Sequence, residues 1–280
     1  MTVNIQIGVW TGHRLDKAAS QKVTAEASAA SDAARVNKHL IPKDALKALS
    51  STASAIRMHF YEKTLPWKDN GDRLLPRALY FDFMAEHNRL EQEFTTARDQ
   101  FVDVIYPSAR EQAAFRMGEL FKADDYPMPS SLREKFYINL DIDAVTVAQD
   151  FRVDMDANTV AQIQADMTAT LQARMHRAMQ DVWTRLAETV GHFAEKMSTD
   201  AIFRDSTVKH LDELIAVLPG LNILNDPELE QMRQEIEGTL TGFRAADLRK
   251  DPALRKSVGD DAKAIMARMN GFMAAMGGAV

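Results

Sequence analysis

Hydrophobic and polar residues alternate from the start of the chain. Val3, Ile5, Ile7 and Val9 share one side of the period-two pattern that marks a half-buried strand. Trp10 follows, and Thr11-Gly12 reads as the exit turn. From Asp16 to Val36 the chain is rich in Ala, Ser and Lys, which predicts a helix that buries only small side chains. Pro42 suits a first helical turn. Leu46, Leu49, Ala53, Ile56 and Phe60 then recur at three-to-four spacing and predict a helix to Leu65. Residues 66–75 read as a loop around Asn70-Gly71. Pro76 opens a predicted long helix to Ile105, with Leu79, Phe83, Leu90, Phe94 and Phe101 on one face. Pro107 is expected to restart the chain into a helix carrying Phe115, Leu120 and Phe121. Asp125–Pro129 must be non-helical, because Pro127 and Pro129 remove donors and restrict the residues before them.

A second alternation, Phe136, Ile138, Leu140 and Ile142, predicts a strand. Val145, Val147, Phe151 and Val153 suggest one or two further extended pieces. Two-stranded pieces are marginal alone, so the strand at residue 3 is expected to pair near residue 140 in one small sheet. Beyond Asp156 the pattern changes. From Val160 to Met197 eleven apolar positions recur at a mean of 3.7 residues, with no proline in 157–197. That period is nearer the straight helix than the heptad's 3.5. It predicts one continuous helix of roughly 60 Å, a rod that needs other helices to cover it. Further helices are expected from Thr199 to Leu218, ended by Pro219-Gly220, and from Asp226-Pro227 to Leu240. Another is expected from Asp251-Pro252 to Phe272, before a frayed tail. The expected fold is α+β and mostly α-helical: residues 1–155 form a small sheet with flanking helices, and residues 156–280 a long-helix region.

Composition narrows the function classes. With 46% hydrophobic and 26% charged residues, the 280-residue chain is neither disordered nor collagenous. No run reaches the roughly 18 apolar residues of a membrane span, and the N-terminus lacks a secretory pattern. Zero cysteines exclude disulfides and thiol chemistry and fit a reducing compartment, so a cytoplasmic location without membrane association is expected. Charge is uneven. Residues 1–66 hold nine bases and five acids, a net of +4, while the other 214 residues carry −10. A basic segment on an acidic body attracts phosphate, although a solvated helix face gives the same count.

Searches for catalytic patterns fail. The sequence has no phosphate-binding Gly-x-x-x-x-Gly-Lys loop, no Gly-x-Gly-x-x-Gly after a strand, no Gly-x-Ser-x-Gly elbow and no His-Glu-x-x-His helix. Asp141, Asp143, Asp150, Asp154 and Asp156 form the densest acidic cluster, and carboxylates at strand ends can hold magnesium. Asp154-x-Asp156-x-Asn158 starts like a calcium loop but has Thr159 where glycine is required. The plain alternative is that Asp156 caps the long helix and the others are turn residues. Glu188, His192 and Glu195 share a helix face; they read either as metal ligands that a second helix would have to complete or as a surface ion pair. His13, His39 and His59 lie in the basic segment, where they could touch phosphate. His87, His176 and His210 read as polar-face residues. Phe83, Phe94 and Phe101, with Tyr80 and Tyr106, could stack on bases, but at helical spacing they read as core. Trp10 and Trp67 sit in turns near bases and read as loop anchors or as stacking platforms for single strands. No metal, cofactor or catalytic residue is assigned.

The order of these features resembles a family of uncharacterised phage, plasmid and bacterial proteins known as a domain of unknown function. It rests on Val9-Trp10-Thr11-Gly12, Lys38 to Ile41, Pro76, Phe83, Phe94, Phe101 and Tyr106. Gly118-Glu119-Leu120-Phe121, Asp125-Tyr126-Pro127 and the strand from Phe136 complete it, over roughly residues 3–155. The resemblance implies a bacterial host cell and genes beside MoxR-type AAA+ ATPases and von Willebrand A-like proteins, and it transfers no catalytic residue. Three readings follow. The first is a non-catalytic accessory protein of phage or mobile-element origin, associating through its long helix with itself or with a partner, an AAA+ ATPase among the candidates. The second is a single-stranded nucleic-acid binding protein using Trp10, Arg14, Lys17, Lys22, Lys38 and Lys43. The third is a metal-dependent enzyme built on Asp141, Asp143, Asp150 and Asp154.

Overall fold

In chain order the elements are β1 (Thr2–Gly8), β2 (His13–Asp16), α1 (Lys17–Glu26), β3 (Val36–His39), α2 (Lys47–Lys63), β4 (Leu65–Pro66) and β5 (Arg73–Leu74). Next come α3 (Tyr80–Gln100), α4 (Tyr106–Glu111), α5 (Ala113–Met117), α6 (Pro129–Arg133) and β6 (Tyr137–Asp143). The helices α7 (Ala157–Ser198), α8 (Asp205–Leu221), α9 (Pro227–Thr239), α10 (Ala245–Lys250) and α11 (Pro252–Gly277) follow. This is a computed structural model that describes residues 1–147, 157–198 and 203–277. The fold is α+β and mostly helical, with a small antiparallel sheet and a long helix, α7. The four-stranded sheet has the order β4-β5-β1-β6, so β1 does lie beside β6.

The chain divides into two compact units. One comprises Ile5–Glu62 and Asp82–Asp141; the other comprises Met1–Asn4, Lys63–Phe81 and Ile142–Val280. In the first, α2 buries Leu49, Ala53, Ile56 and Phe60, and α3 buries Phe83, His87, Leu90 and Phe94. His87 is therefore not on a polar face. Its spacing of four from Phe83 and three to Leu90 puts it in the apolar stripe, where it is 3% exposed. The helix does not stop before Pro107. Between α3 and α4, residues Phe101–Ile105 form a π-turn in which Tyr106 N–H bonds the Phe101 carbonyl five residues back. Pro107, having no N–H, is carried in the first turn of α4. The helix expected over Phe115–Phe121 is broken at Gly118, whose φ of +52° leaves the right-handed region, and Phe115 is exposed.

The helix expected from Asp16 to Val36 covers only α1. Asp16 caps its start by accepting from Ala19 N–H at 3.0 Å. It ends where Ser28 takes a φ of 51° and Ala29 N–H reaches back to the Thr24 carbonyl at 2.9 Å. The residues on either side of α1 pair as a second, two-stranded sheet, β2 with β3, His13 opposite His39 and Arg14 opposite Lys38. Ser20 ties the two together, its Oγ accepting from Val36 N–H at 2.9 Å.

In the second unit β4 and β5 form a short hairpin around Asn70-Gly71, Leu65 opposite Leu74, and β5 pairs with β1 through Leu74 and Thr2. No strand covers residues 144–147; Phe151 and Val153 lie outside the described residues. The long helix α7 packs chiefly on α11 and α8. Pro219 does not end α8: the helix runs on to Leu221, with Gly220 pressed against Leu79 so closely that a Cβ would lie 2.3 Å from Leu79 Cδ2. Asp226 and Asp251 cap α9 and α11 as their Asp-Pro sequences require. The helix α11 continues to Gly277, past the end expected at Phe272.

Candidate functional site

The apolar ladder of α7 meets two different environments. From Ala178 to Met197 ten residues are buried, Trp183, Leu186, Val190 and Phe193 among them. From Ala157 to Arg177 none is buried among the described residues, although Val160, Ile163, Met167, Leu171 and Met175 continue the same ladder. These five are half-exposed. Half-exposed apolar side chains repeated from Val160 to Met175, roughly 22 Å of helix at about 1.5 Å per residue, are what a surface awaiting a partner looks like.

Two depressions flank this stretch within the same unit. One, of 350 Å³, is lined by Ile163, Met167 and Leu171 with Trp67 and Val145. The other, of 520 Å³, is lined by Trp67, Lys68, Arg174 and Arg177. The loop between β4 and β5 is held in place by Asp72, which accepts from Lys68 Nζ at 2.8 Å and from Asn4 Nδ2 at 3.1 Å. Those bonds, Lys68 first, keep its carboxyl below the usual carboxylate range. Arg177 bonds Asp69 at 3.1 Å. Trp67 is 4% exposed and anchors the loop. Arg73, one of the bases near it in sequence, is spent on structure: it bonds Thr64 Oγ1 at 2.7 Å and the Thr64 carbonyl at 2.9 Å, which also accepts from Arg185 of α7. Sequence reading placed Trp67 in a turn near bases but not its meeting with Lys68, Arg174 and Arg177. Only the fold brings positions a hundred residues apart together.

The basic N-terminal set does not form one patch. Lys38 is buried, with its ammonium against Asp125, 3.3 Å from Asp16 and 3.2 Å from the Leu120 carbonyl. Burial opposes its charge, but the two carboxylates outweigh that and raise its pKa. Asp16 is held low first by the Ala19 N–H and then, against its burial, by Lys38. Arg14 pairs with Asp125 at 3.6 Å and Lys22 with Glu26 at 3.9 Å. Lys17 and Lys43 are exposed. Trp10 is half-buried, its ring edge-on to Tyr106 at 5.7 Å and tilted against Phe101 at 6.3 Å. Trp10 and Lys43 share a cavity with His13 and His39. The phenylalanines 83, 94 and 101 and Tyr106 are core residues.

Asp141 and Asp143 are exposed on β6, while Asp150, Asp154 and Asp156 lie outside the described residues. Glu188, His192 and Glu195 are all exposed on α7. Among the described residues no three His, Asp or Glu side chains are placed to hold a metal, and no helix is long and apolar enough to cross a membrane. Comparison with protein-family models, curated proteins and solved structures finds no match.

Proposed function

We propose that this protein is a non-catalytic association protein whose working surface is the N-terminal half of α7. The observation that carries the reading is the change in burial along one uninterrupted apolar ladder, from ten buried residues beyond Arg177 to none before it among the described residues. The ladder is also self-complementary. Ile163, Met167, Leu171 and Met175 lie symmetrically about Ala169. In an antiparallel pair, Ile163 meets Met175 of a second copy and Met167 meets its Leu171. Rows spaced by four residues favour an oblique crossing. A second copy is therefore the first partner to test. An AAA+ ATPase of the MoxR type, in a phage or mobile-element setting, is the second.

Light scattering over a wide concentration range tests this. The expected mass rises from 31.4 kDa toward a dimer, and Met167→Glu with Leu171→Glu holds it at the monomer without changing the unfolding transition. A strict monomer that also fails to retain a MoxR-type ATPase ends the reading.

Single-strand binding is the second reading, and the observation that favours it is the cavity shared by Trp10 and Lys43. Its basic set is now Arg14, Lys17, Lys22 and Lys43, since Lys38 is enclosed by carboxylates. Affinity for a single-stranded oligonucleotide is expected to fall steeply with salt; undetectable or salt-independent binding disposes of it.

A further inference from the structure

We propose that the cavity walled by Trp10, His13, His39 and Lys43 is a binding site for a phosphate monoester carried on a planar apolar body. This site is separate from the α7 surface and does not depend on the association reading.

Local pairing builds it. Directly opposed positions on antiparallel strands bring side chains together, and His13 opposite His39 places the two imidazoles 4.2 Å apart, centre to centre, at 75°. The chain then turns inward. Leu40 N–H bonds the Gly12 carbonyl at 2.8 Å, and Leu40 and Ile41 are buried. That turn delivers Lys43, at the start of the 3-10 turn Lys43–Leu46, to the same opening. Gly12 is required here: its φ is +67° and a Cβ would lie 2.9 Å from Ile41 Cγ1. Its volume is 410 Å³, within the range of small-molecule sites.

The lining separates by chemistry. Val9, Ile41 and Leu46 supply apolar wall, and Trp10 an aromatic one. Trp10 is fixed by its edge-on packing against Tyr106, so its ring is a rigid platform for a planar group. Opposed to these are His13, His39 and Lys43, with the hydroxyls of Thr11 and Ser50. No carboxylate lines the cavity. Arg116 adds further positive charge, its guanidinium bonding the His39 carbonyl. Burial first, then the nearby His13, Lys43 and Arg116, push the His39 imidazole below its usual range. Among the described residues Lys43 forms no ion pair. Three donor side chains come from three positions around the cavity. They suit a phosphate monoester, with three oxygens and a charge near −2.

The chemistry has two sources, a free mononucleotide and the 5′-phosphorylated end of a single strand. Calorimetric titration of the whole chain with 5′-AMP, adenosine and inorganic phosphate is the test. Saturable AMP binding is expected, with adenosine about tenfold weaker or worse, as loss of charge-assisted bonds requires. Lys43→Ala and His39→Gln are each expected to weaken AMP by about tenfold, and Trp10→Leu to weaken AMP while sparing phosphate. Lys43 is exposed, so Lys43→Ala keeps the test valid should the His39 variant misfold. Oligothymidylates with a 5′-phosphate or a 5′-hydroxyl then separate the sources. A phosphorylated strand tighter than AMP assigns a strand end, and one equal to or weaker than AMP assigns the free nucleotide. Absence of saturable AMP binding overturns the proposal. So does binding that Lys43→Ala leaves unchanged.

Discussion

The indole N–H of Trp183 donates to Asp226 Oδ2 at 3.0 Å, while Oδ1 of the same carboxylate caps α9 through Glu228 N–H and Leu229 N–H. Trp183 is 1% exposed on α7, so one side chain both starts a helix and satisfies a buried donor on another. Asp226→Ala removes both roles and is expected to cost about 2–4 kcal/mol, a lost cap plus an unpaired buried N–H. Asp226→Asn keeps a capping oxygen but cannot serve both, and should cost less. Urea unfolding ranks the two variants, and equal losses would show that the Trp183 bond alone matters.

The two halves of α7 should respond differently to truncation. Leu186→Ala, at a fully buried position, is expected to cost about 2–4 kcal/mol. Leu171→Ala, half-exposed on the same ladder, should cost under about 1 kcal/mol in the monomer. Denaturant midpoints at low protein concentration, where association does not contribute, check the contrast.

Lys38 lies between Asp16 and Asp125. Removing it leaves two enclosed carboxylates without their cation, and Lys38→Ala is expected to destabilise by about 3–5 kcal/mol. Lys17→Ala and Lys22→Ala, on exposed side chains, should shift stability by no more than about 0.5 kcal/mol. Thermal unfolding separates a structural lysine from solvated ones.

His87 stacks on Phe83 at 5.9 Å between ring centres and has a buried Nδ1 with no hydrogen-bond partner among the described residues. Burial lowers its pKa; Glu91 on the same helix opposes this, and His59, from α2, adds to it. The unfolded chain therefore takes up a proton near pH 6.5 that the folded chain refuses until a lower pH. Stability is complete above that pH and falls as the pH drops below it. His87→Phe should flatten this part of the stability profile, measured by urea unfolding between the neutral range and mild acid. A slope the substitution does not change would assign the effect elsewhere.

Gly220 approaches Leu79 too closely for a side chain. Gly220→Ala is expected to cost about 1–3 kcal/mol by overpacking, and Leu79→Ala in the same chain should restore part of that loss. Additive losses in the double variant would mean that the contact is not the cause.

Elements with strong, long patterns were legible in the sequence. The strands from residues 3 and 136, α2, α3, α7 and the Asp-Pro starts of α9 and α11 all follow from periodicity and capping. The β2–β3 pair was not, because His13–Asp16 and Val36–His39 are four residues each, too short for a period to declare itself. The passage of Pro107 through a continuous helix depended on a π-turn that no local pattern announces. His87 was misread by residue type although its spacing was correct.

Candidate chemistry divides in the same way. Sequence alone determined the residue types available: a chain without thiols, a basic first segment, tryptophans in turns and one apolar ladder of 37 residues. Tertiary structure decided which of them remain free. It enclosed Lys38 between two carboxylates, one of them 87 residues away, used Arg73 to brace a backbone carbonyl, set His13 against His39, and, among the described residues, covered only half of α7. Periodicity is local, carried by successive residues on one element. Burial depends on which distant element arrives to cover that face, and no window of sequence contains both.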